Sequence, residues 1–223
     1  MVLQLYIDWL SEPSRAIAIL VIENNIEHTV HEVSIVKGET QGDAFKQINP
    51  VGKVPAIVDG DDLKLSESHT IMRYLCVSRN LPDHYYPNDI KERCRVDFWL
   101  DWHHTNLRHA AIRLLRANVF GPRRNFPETT IDELRKEGET VLKSSLTFME
   151  ETLGRNNYLA GGNQLSIADI ALVCEVVMFP VYGASADGYP NVQNWVKRLS
   201  TDIQCWNQVN AKLDEYIALK SKK

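Results

Sequence analysis

A small mixed α/β domain followed by a larger all-helical one is the architecture the sequence predicts. Three observations predict it. Apolar residues alternate at Leu3, Leu5 and Ile7, and short apolar runs recur at Ala56-Ile57-Val58 and Leu63-Lys64-Leu65, so strand signals are confined to the first 80 residues. The run Leu81 to Asp89, LPDHYYPND, has two prolines and no period, the composition of an interdomain linker. Past it, apolar spacing stays helical. The domains are therefore residues 1–80, a linker over 81–91, and a helical domain over 92–223.

Val2 to Ile7 reads as the first strand, and Trp9 to Ser14 as a loop that hands over to a helix at Arg15. That helix, Ala16 to Ile22, is apolar nearly all round and must be buried. Ile26 to Val36 reads as a second strand and Asp43 to Gln47 as a short helix. Two further strands and a helix opening at Ser66-Glu67-Ser68 complete the order βαβαββα, a mixed sheet with helices on both faces. Beyond the linker the pattern predicts helices over Arg93–Leu115, Ile131–Leu153, Ser166–Met178, Asn191–Leu199 and Trp206–Leu219, with Lys220-Ser221-Lys222-Lys223 as a frayed end. Ser166-Ile167-Ala168-Asp169 is a capping box, flanked by Leu165 and Ile170 as a hydrophobic staple; it is read as structural.

With 44% hydrophobic and 24% charged residues and a net charge of −4, nothing in the composition attracts nucleic acid or an anionic membrane. No apolar run reaches the length of a membrane span, and Met1-Val2-Leu3-Gln4-Leu5 is too short for a signal peptide. Cys76, Cys94, Cys174 and Cys205 are far apart and make no metal pattern, which points to a reduced, cytoplasmic protein without disulfides or metal. His103 and His104, being adjacent on a helix, point in different directions and lack metal-site spacing.

The stretch Asn49 to Ser68, NPVGKVPAIVDGDDLKLSES, carries the chemistry. A proline just ahead of a strand donates no ladder bond, and X-Pro is where a cis peptide is tolerated. With Val54-Pro55 cis, the Val54 N–H and C=O would face outward, able to pair with an extended peptide. Glu67 and Ser68 add a carboxylate, a hydroxyl and unpaired first-turn N–H groups. Together they would receive something peptide-like with both an ammonium and a carboxylate; the bland alternative is a hairpin leading into an ordinary capped helix.

Six segments, in order along the chain, carry a family resemblance: LYIDWLSEPSRA, INPVGKVPAIVDG, LSESHTIMRYL, HYYPND, DWHHTNLR and LSIADIALVCE. The sequence resembles a cytosolic glutathione S-transferase, most like the theta class of plants. The resemblance implies a thioredoxin-like domain that binds glutathione as co-substrate, an all-helical domain that helps bind small hydrophobic electrophiles or hydroperoxides, and a homodimer. It implies that Ser11 activates the thiol, with Ser14 as the second candidate. Pro55 matches the cis proline, Val54 the partner of the cysteinyl backbone, and Glu67 and Ser68 the pair holding the γ-glutamyl group. Lys53 matches a residue near the glycine carboxylate, and Trp9 and Arg108 fall on the electrophile side; the alternative for Arg108 is an interdomain salt bridge.

The chemistry asked of Ser11 is of reasonable size. A free thiol has a pKa of about 8.5, so little is thiolate at neutral pH. Lowering that by about two units requires about 2.7 kcal/mol, and one hydrogen bond to a charged group supplies roughly 1.5–3 kcal/mol. The N-terminal dipole of the following helix adds to it. Two departures from the family pattern bear on the site. Glu12 stands where relatives often carry glutamine, placing a negative charge near the sulfur unless Lys53 or Arg15 balances it. Thr40 and Gln41 stand where some relatives carry His and Lys for the glycine carboxylate. The rival reading is a non-catalytic ligand carrier or scaffold with the same fold; the retained Ser11, Lys53, Glu67 and Ser68 speak against it.

Overall fold

A computed structural model describes residues 2–220; of the end read above as frayed, Lys220-Ser221-Lys222-Lys223, Lys220 closes the final helix and Ser221-Lys222-Lys223 lie outside the described residues, as does Met1. The contacts divide the chain into two compact units, one running to Tyr86 and resuming at Ile203, the other covering Pro87–Asp202.

The first unit holds β1 (Leu3–Ile7), α1 (Glu12–Glu23), β2 (His28–Glu32), a 3-10 turn (Glu39–Gln41), α2 (Asp43–Lys46), β3 (Ala56–Asp59), β4 (Leu63–Ser66) and α3 (Ser68–Ser78). This is the βαβαββα order the sequence predicts. The sheet runs β2-β1-β3-β4, with β1 parallel to β2 and antiparallel to β3, and β3 antiparallel to β4. Leu3, Leu5 and Ile7 are fully buried while Gln4 and Tyr6 are half-buried, the alternation of a strand with unequal faces. Residues Ala16 to Val21 of α1 are all buried, as an all-round apolar helix requires.

The second strand is shorter than Ile26–Val36. After Glu32 the chain leaves the ladder: Val33 N–H still bonds Ile7 O at 2.8 Å, but Ile35 N–H turns to the Asp8 carboxylate, and Gly38 at φ +75° reverses direction.

The second unit contains α4 (Ile90–Thr105), α5 (Leu107–Leu115), a π-turn (Arg116–Phe120), α6 (Gly121–Arg123), α7 (Glu128–Leu153), α8 (Ile167–Val176), α9 (Phe179–Tyr182) and α10 (Pro190–Asp202). Its first helix begins earlier than Arg93 because Asp89 caps it, accepting the Lys91 and Glu92 N–H groups at 3.0 Å each. The single helix Arg93–Leu115 is corrected to two. Asn106 breaks it at φ −120°, ψ −87°, and its side-chain amide donates to Trp102 O at 3.0 Å, a local bond that competes with the helical ladder. The final helix, α11 (Trp206–Lys220), packs against α1 in the first unit, where the Cys205 N–H reaches Glu23 Oε1 at 2.7 Å and Lys212 pairs with Glu32 at 2.7 Å.

The capping box at Ser166 and Asp169 is formed, and α8 is buried on every side. Asp169 does more than cap. One carboxylate oxygen takes the Ser166 N–H and hydroxyl, each at 2.9 Å, and the other takes the Leu159 N–H and the Trp195 indole N–H, also at 2.9 Å. Ser166→Ala is expected to cost about 1 kcal/mol, read as a lower urea midpoint at unchanged slope; an unshifted midpoint would remove the cap from the account.

Candidate active site

Strand directions gather the candidate residues at one end of the first unit's sheet. The register Tyr6↔Ala56↔Ser66 puts the end of β1, the start of β3 and the end of β4 side by side, and Ile7↔Glu32 adds the end of β2. The loop to Ser11 leaves from β1, the 3-10 turn with Thr40 follows β2, Val54-Pro55 leads into β3, and Glu67-Ser68 follows β4. The helices α1 and α3 start there too, so two helix N-termini lie at the same sheet edge. Unpaired N–H groups and the positive dipole end favour anionic groups at such places.

Ser11 is the N-cap of α1, with extended backbone (φ −87°, ψ 121°), and is 7% exposed. Serine at this position ordinarily spends its hydroxyl on the first-turn N–H groups. Here it makes no such bond, so the hydroxyl is not committed to the helix. Ser14 is placed differently: it is fully buried, and its Oγ accepts the Asp8 N–H at 3.4 Å. Glu12 is buried in the first turn of α1. Arg15 follows one turn on, also fully buried, its Nη1 donating to Trp9 O at 3.1 Å. Lys53, the other cation considered for Glu12, is exposed.

The Val54-Pro55 peptide is cis, and ladder pairing starts only at Ala56. Val54 packs with Val33, Phe45 and Ala56, which moors the preceding loop to the sheet, and half-buried Tyr6 joins that cluster, its ring stacked on His31 at 4.6 Å. Tyr6 therefore packs, in keeping with its place before the loop. The turn bearing Thr40 lies against the Gly52-Lys53 loop: Gln41 Nε2 donates to Gly52 O at 3.0 Å, and a Cβ on Gly52 would come within 2.9 Å of Thr40 O. Thr40 and Lys53 thus flank one corner.

Glu67 is the N-cap of α3 at φ +66°, ψ 107°, a backbone state that a side-chain-bearing residue rarely adopts. Its side chain is exposed and makes no cap bond, and Ser68 beside it is buried. Strain of this kind costs roughly 1–3 kcal/mol and gathers at ligand sites. No sequence signal announces it, since Glu at a helix start is ordinary.

Trp9 is half-buried, its indole N–H held by Glu32 Oε1 at 3.0 Å. Lys212 of α11 takes the other Glu32 oxygen, and that hydrogen bond heads the causes that keep the Glu32 carboxyl below its ordinary range. Arg108 belongs to the helical unit, where it bonds Glu175 Oε2 at 3.1 Å, a residue of the same unit. Glu175 is fully buried and also takes the Tyr182 hydroxyl at 2.8 Å, with His103 Nε2 at 3.5 Å. Burial raises its pKa most, but the Arg108 charge and the His103 and Tyr182 contacts outweigh it, and the carboxyl sits below its ordinary value. The polar cluster around Arg108 is one that sequence reasoning missed; the signal available was Glu175 as a charge inside an apolar helix.

Two family models match the chain: the glutathione S-transferase N-terminal domain over residues 11–77 and the C-terminal domain over residues 104–202. The chain is 42% identical to Glutathione S-transferase T1 of Arabidopsis thaliana over 184 residues, covering 81% of this chain and 74% of that one. It is 37% identical to Glutathione S-transferase theta-1 of Rattus norvegicus over 209 residues, covering 91% and 84%. Among solved structures, human glutathione transferase theta-2 in complex with glutathione and an unknown ligand superposes with a TM-score of 0.87, at 30% identity, over 99% of this chain and 90% of that one. With both domain models matched and theta relatives aligned over most of its length, the chain belongs to the glutathione S-transferase family and to its theta class.

Proposed function

We propose that this protein conjugates the thiolate of glutathione to small hydrophobic electrophiles and, as a companion activity, reduces organic hydroperoxides with glutathione. The observation that carries this is the N-cap Ser11 with its hydroxyl uncommitted, at the sheet end where two helix N-termini and the Val54-Pro55 edge meet. In this reading the Ser11 hydroxyl donates to the sulfur and holds it as thiolate; Ser11 is not itself the nucleophile. The sulfur attacks an electrophilic carbon, or the outer oxygen of a hydroperoxide, where the O–O bond breaks, the alcohol leaves after taking a proton, and a second glutathione converts the glutathione sulfenic acid to disulfide and water.

The Val54 N–H and C=O pair with the cysteinyl backbone. Glu67 takes the γ-glutamyl ammonium, while Ser68 and the first turn of α3 take its carboxylate. Lys53 and Thr40 serve the glycine carboxylate; Lys53 is the one cation of that pair. Glu12 borders the glutathione site; for the electrophile, Trp9 is the candidate in the first unit and Arg108 the candidate in the helical unit. The working form is a cytoplasmic homodimer. No helix among the described residues is long and apolar enough to cross a membrane.

Cumene hydroperoxide reduction and conjugation of an electrophile panel, with and without glutathione, test the activity. Glutathione-dependent turnover is expected; tight glutathione binding with no turnover on any substrate would favour the carrier reading instead.

Glu67 gives a sharper test of the binding role. Glu67→Gly is expected to leave the fold as stable as before or more so, by up to about 1 kcal/mol, because glycine accepts positive φ. Glutathione affinity should nevertheless fall roughly tenfold with the loss of one charged contact. Calorimetry of glutathione binding beside a thermal melt separates the two, and unchanged affinity would take Glu67 out of the site.

A further inference from the structure

We infer that Asp8 is the positioning residue for Ser11, holding the loop that aims its hydroxyl. Asp8 follows β1 and makes four hydrogen bonds there, two through its backbone and two through its carboxylate. Its Oδ1 accepts the Leu10 N–H at 2.9 Å, its carbonyl accepts the Ser11 N–H at 2.9 Å, and its own N–H donates to Ser14 Oγ at 3.4 Å. The remaining carboxylate oxygen, Oδ2, reaches across to the Ile35 N–H at 2.8 Å and ties the loop to the segment after β2. The bond to Leu10 is an Asx-turn, in which a carboxylate two residues back replaces a backbone acceptor.

This matters because Ser11 does not orient itself. A capping serine is locked by its own hydroxyl on the helix, and Ser11 makes no such bond. Its aim is then set by the backbone on either side. On the helix side the Arg15 N–H holds Ser11 O at 3.1 Å; on the strand side the fixing groups belong to Asp8. Asp8 touches neither sulfur nor substrate and acts through Ser11.

The inference rests on the proposed role of Ser11, and the test separates the two. In Asp8→Ala, kcat/KM for conjugation is expected to fall up to roughly 100-fold, the scale of a misplaced catalytic group. The titration of bound glutathione, followed by thiolate ultraviolet absorbance, should move upward in pH while the KM for glutathione stays near wild type. Asp8→Asn, which keeps one acceptor, should lie between. In a Ser11→Ala background, Asp8→Ala should add no further loss, since the two act through one hydroxyl. An unmoved thiolate titration in Asp8→Ala, or an equal further loss on top of Ser11→Ala, overturns the inference. A Ser11→Ala variant with wild-type titration fails the reading beneath it instead. Should Asp8→Ala not fold, Asp8→Asn carries the same comparisons.

Discussion

Ser11→Ala is expected to lower kcat/KM for glutathione conjugation roughly 10- to 100-fold, with the fold and the glutathione affinity retained. The magnitude follows from one hydrogen bond to a charged sulfur, worth roughly 1.5–3 kcal/mol, set against about 1.4 kcal/mol per factor of ten. The same energy appears as a rise of about one to two units in the pKa of bound glutathione, so rate and titration must move together. The pH–rate profile should show this directly: the variant recovers activity as pH rises through the thiol's ordinary value, while the wild type is already on its plateau. Stability points the other way from a capping role. A capping serine contributes about 1 kcal/mol, whereas Ser11 makes no cap bond to lose. A variant that melts lower but turns over at the wild-type rate would identify Ser11 as a helix cap and nothing more. Ser14→Ala tests the second candidate: Ser14 is fully buried and its Oγ accepts the Asp8 N–H, so a smaller loss of kcat/KM than in Ser11→Ala is expected, and an equal or larger loss would move the role to Ser14.

What was legible in the sequence was what local chemistry decides. Alternation along Leu3 to Ile7, the all-round apolar α1, a proline opening β3 and the box at Ser166 and Asp169 each declare themselves within a few residues. The site end of the sheet was legible through the family segments, which follow the chain. Features that depend on distant partners or on a rare backbone state were hidden. Asn106 sits in a stretch whose apolar period runs straight through it, and the break comes from a side-chain amide turning back on its own helix. Glu67 reads as an ordinary helix start until its φ of +66° is seen. Asp8 looks like a strand-end acid, although its carboxylate organises two loops, one of them 27 residues away. Arg108 and Glu175 are 67 residues apart, and neither names the other.

That last pair separates a site residue from a structural one. Arg108→Ala should destabilise the protein by about 3 kcal/mol, the lower end for breaking a buried pair, since Arg108 is partly exposed while Glu175 is wholly enclosed. The pH dependence makes the assignment specific. In the wild type Glu175 titrates below its unfolded value, so its contribution is full above the ordinary glutamate range, near pH 4.3, and is lost as pH falls through the lower folded value. Without the Arg108 charge, burial dominates and the folded pKa rises. The cost is then largest near neutrality and is relieved as pH falls toward the ordinary value. The stability gap between wild type and Arg108→Ala should therefore shrink between pH 7 and about pH 4, measured by urea unfolding at each pH. Adding Glu175→Gln to Arg108→Ala removes the stranded charge and should recover part of the loss. A gap that is negligible at every pH, accompanied by a raised KM for the electrophile alone, would make Arg108 purely a substrate-site residue. A large, pH-dependent gap with the electrophile KM unchanged would make it purely the counterion of Glu175. The pH-dependent gap is the expected result, because Arg108 Nη1 holds the wholly buried Glu175; a raised electrophile KM beside it would add the proposed site role.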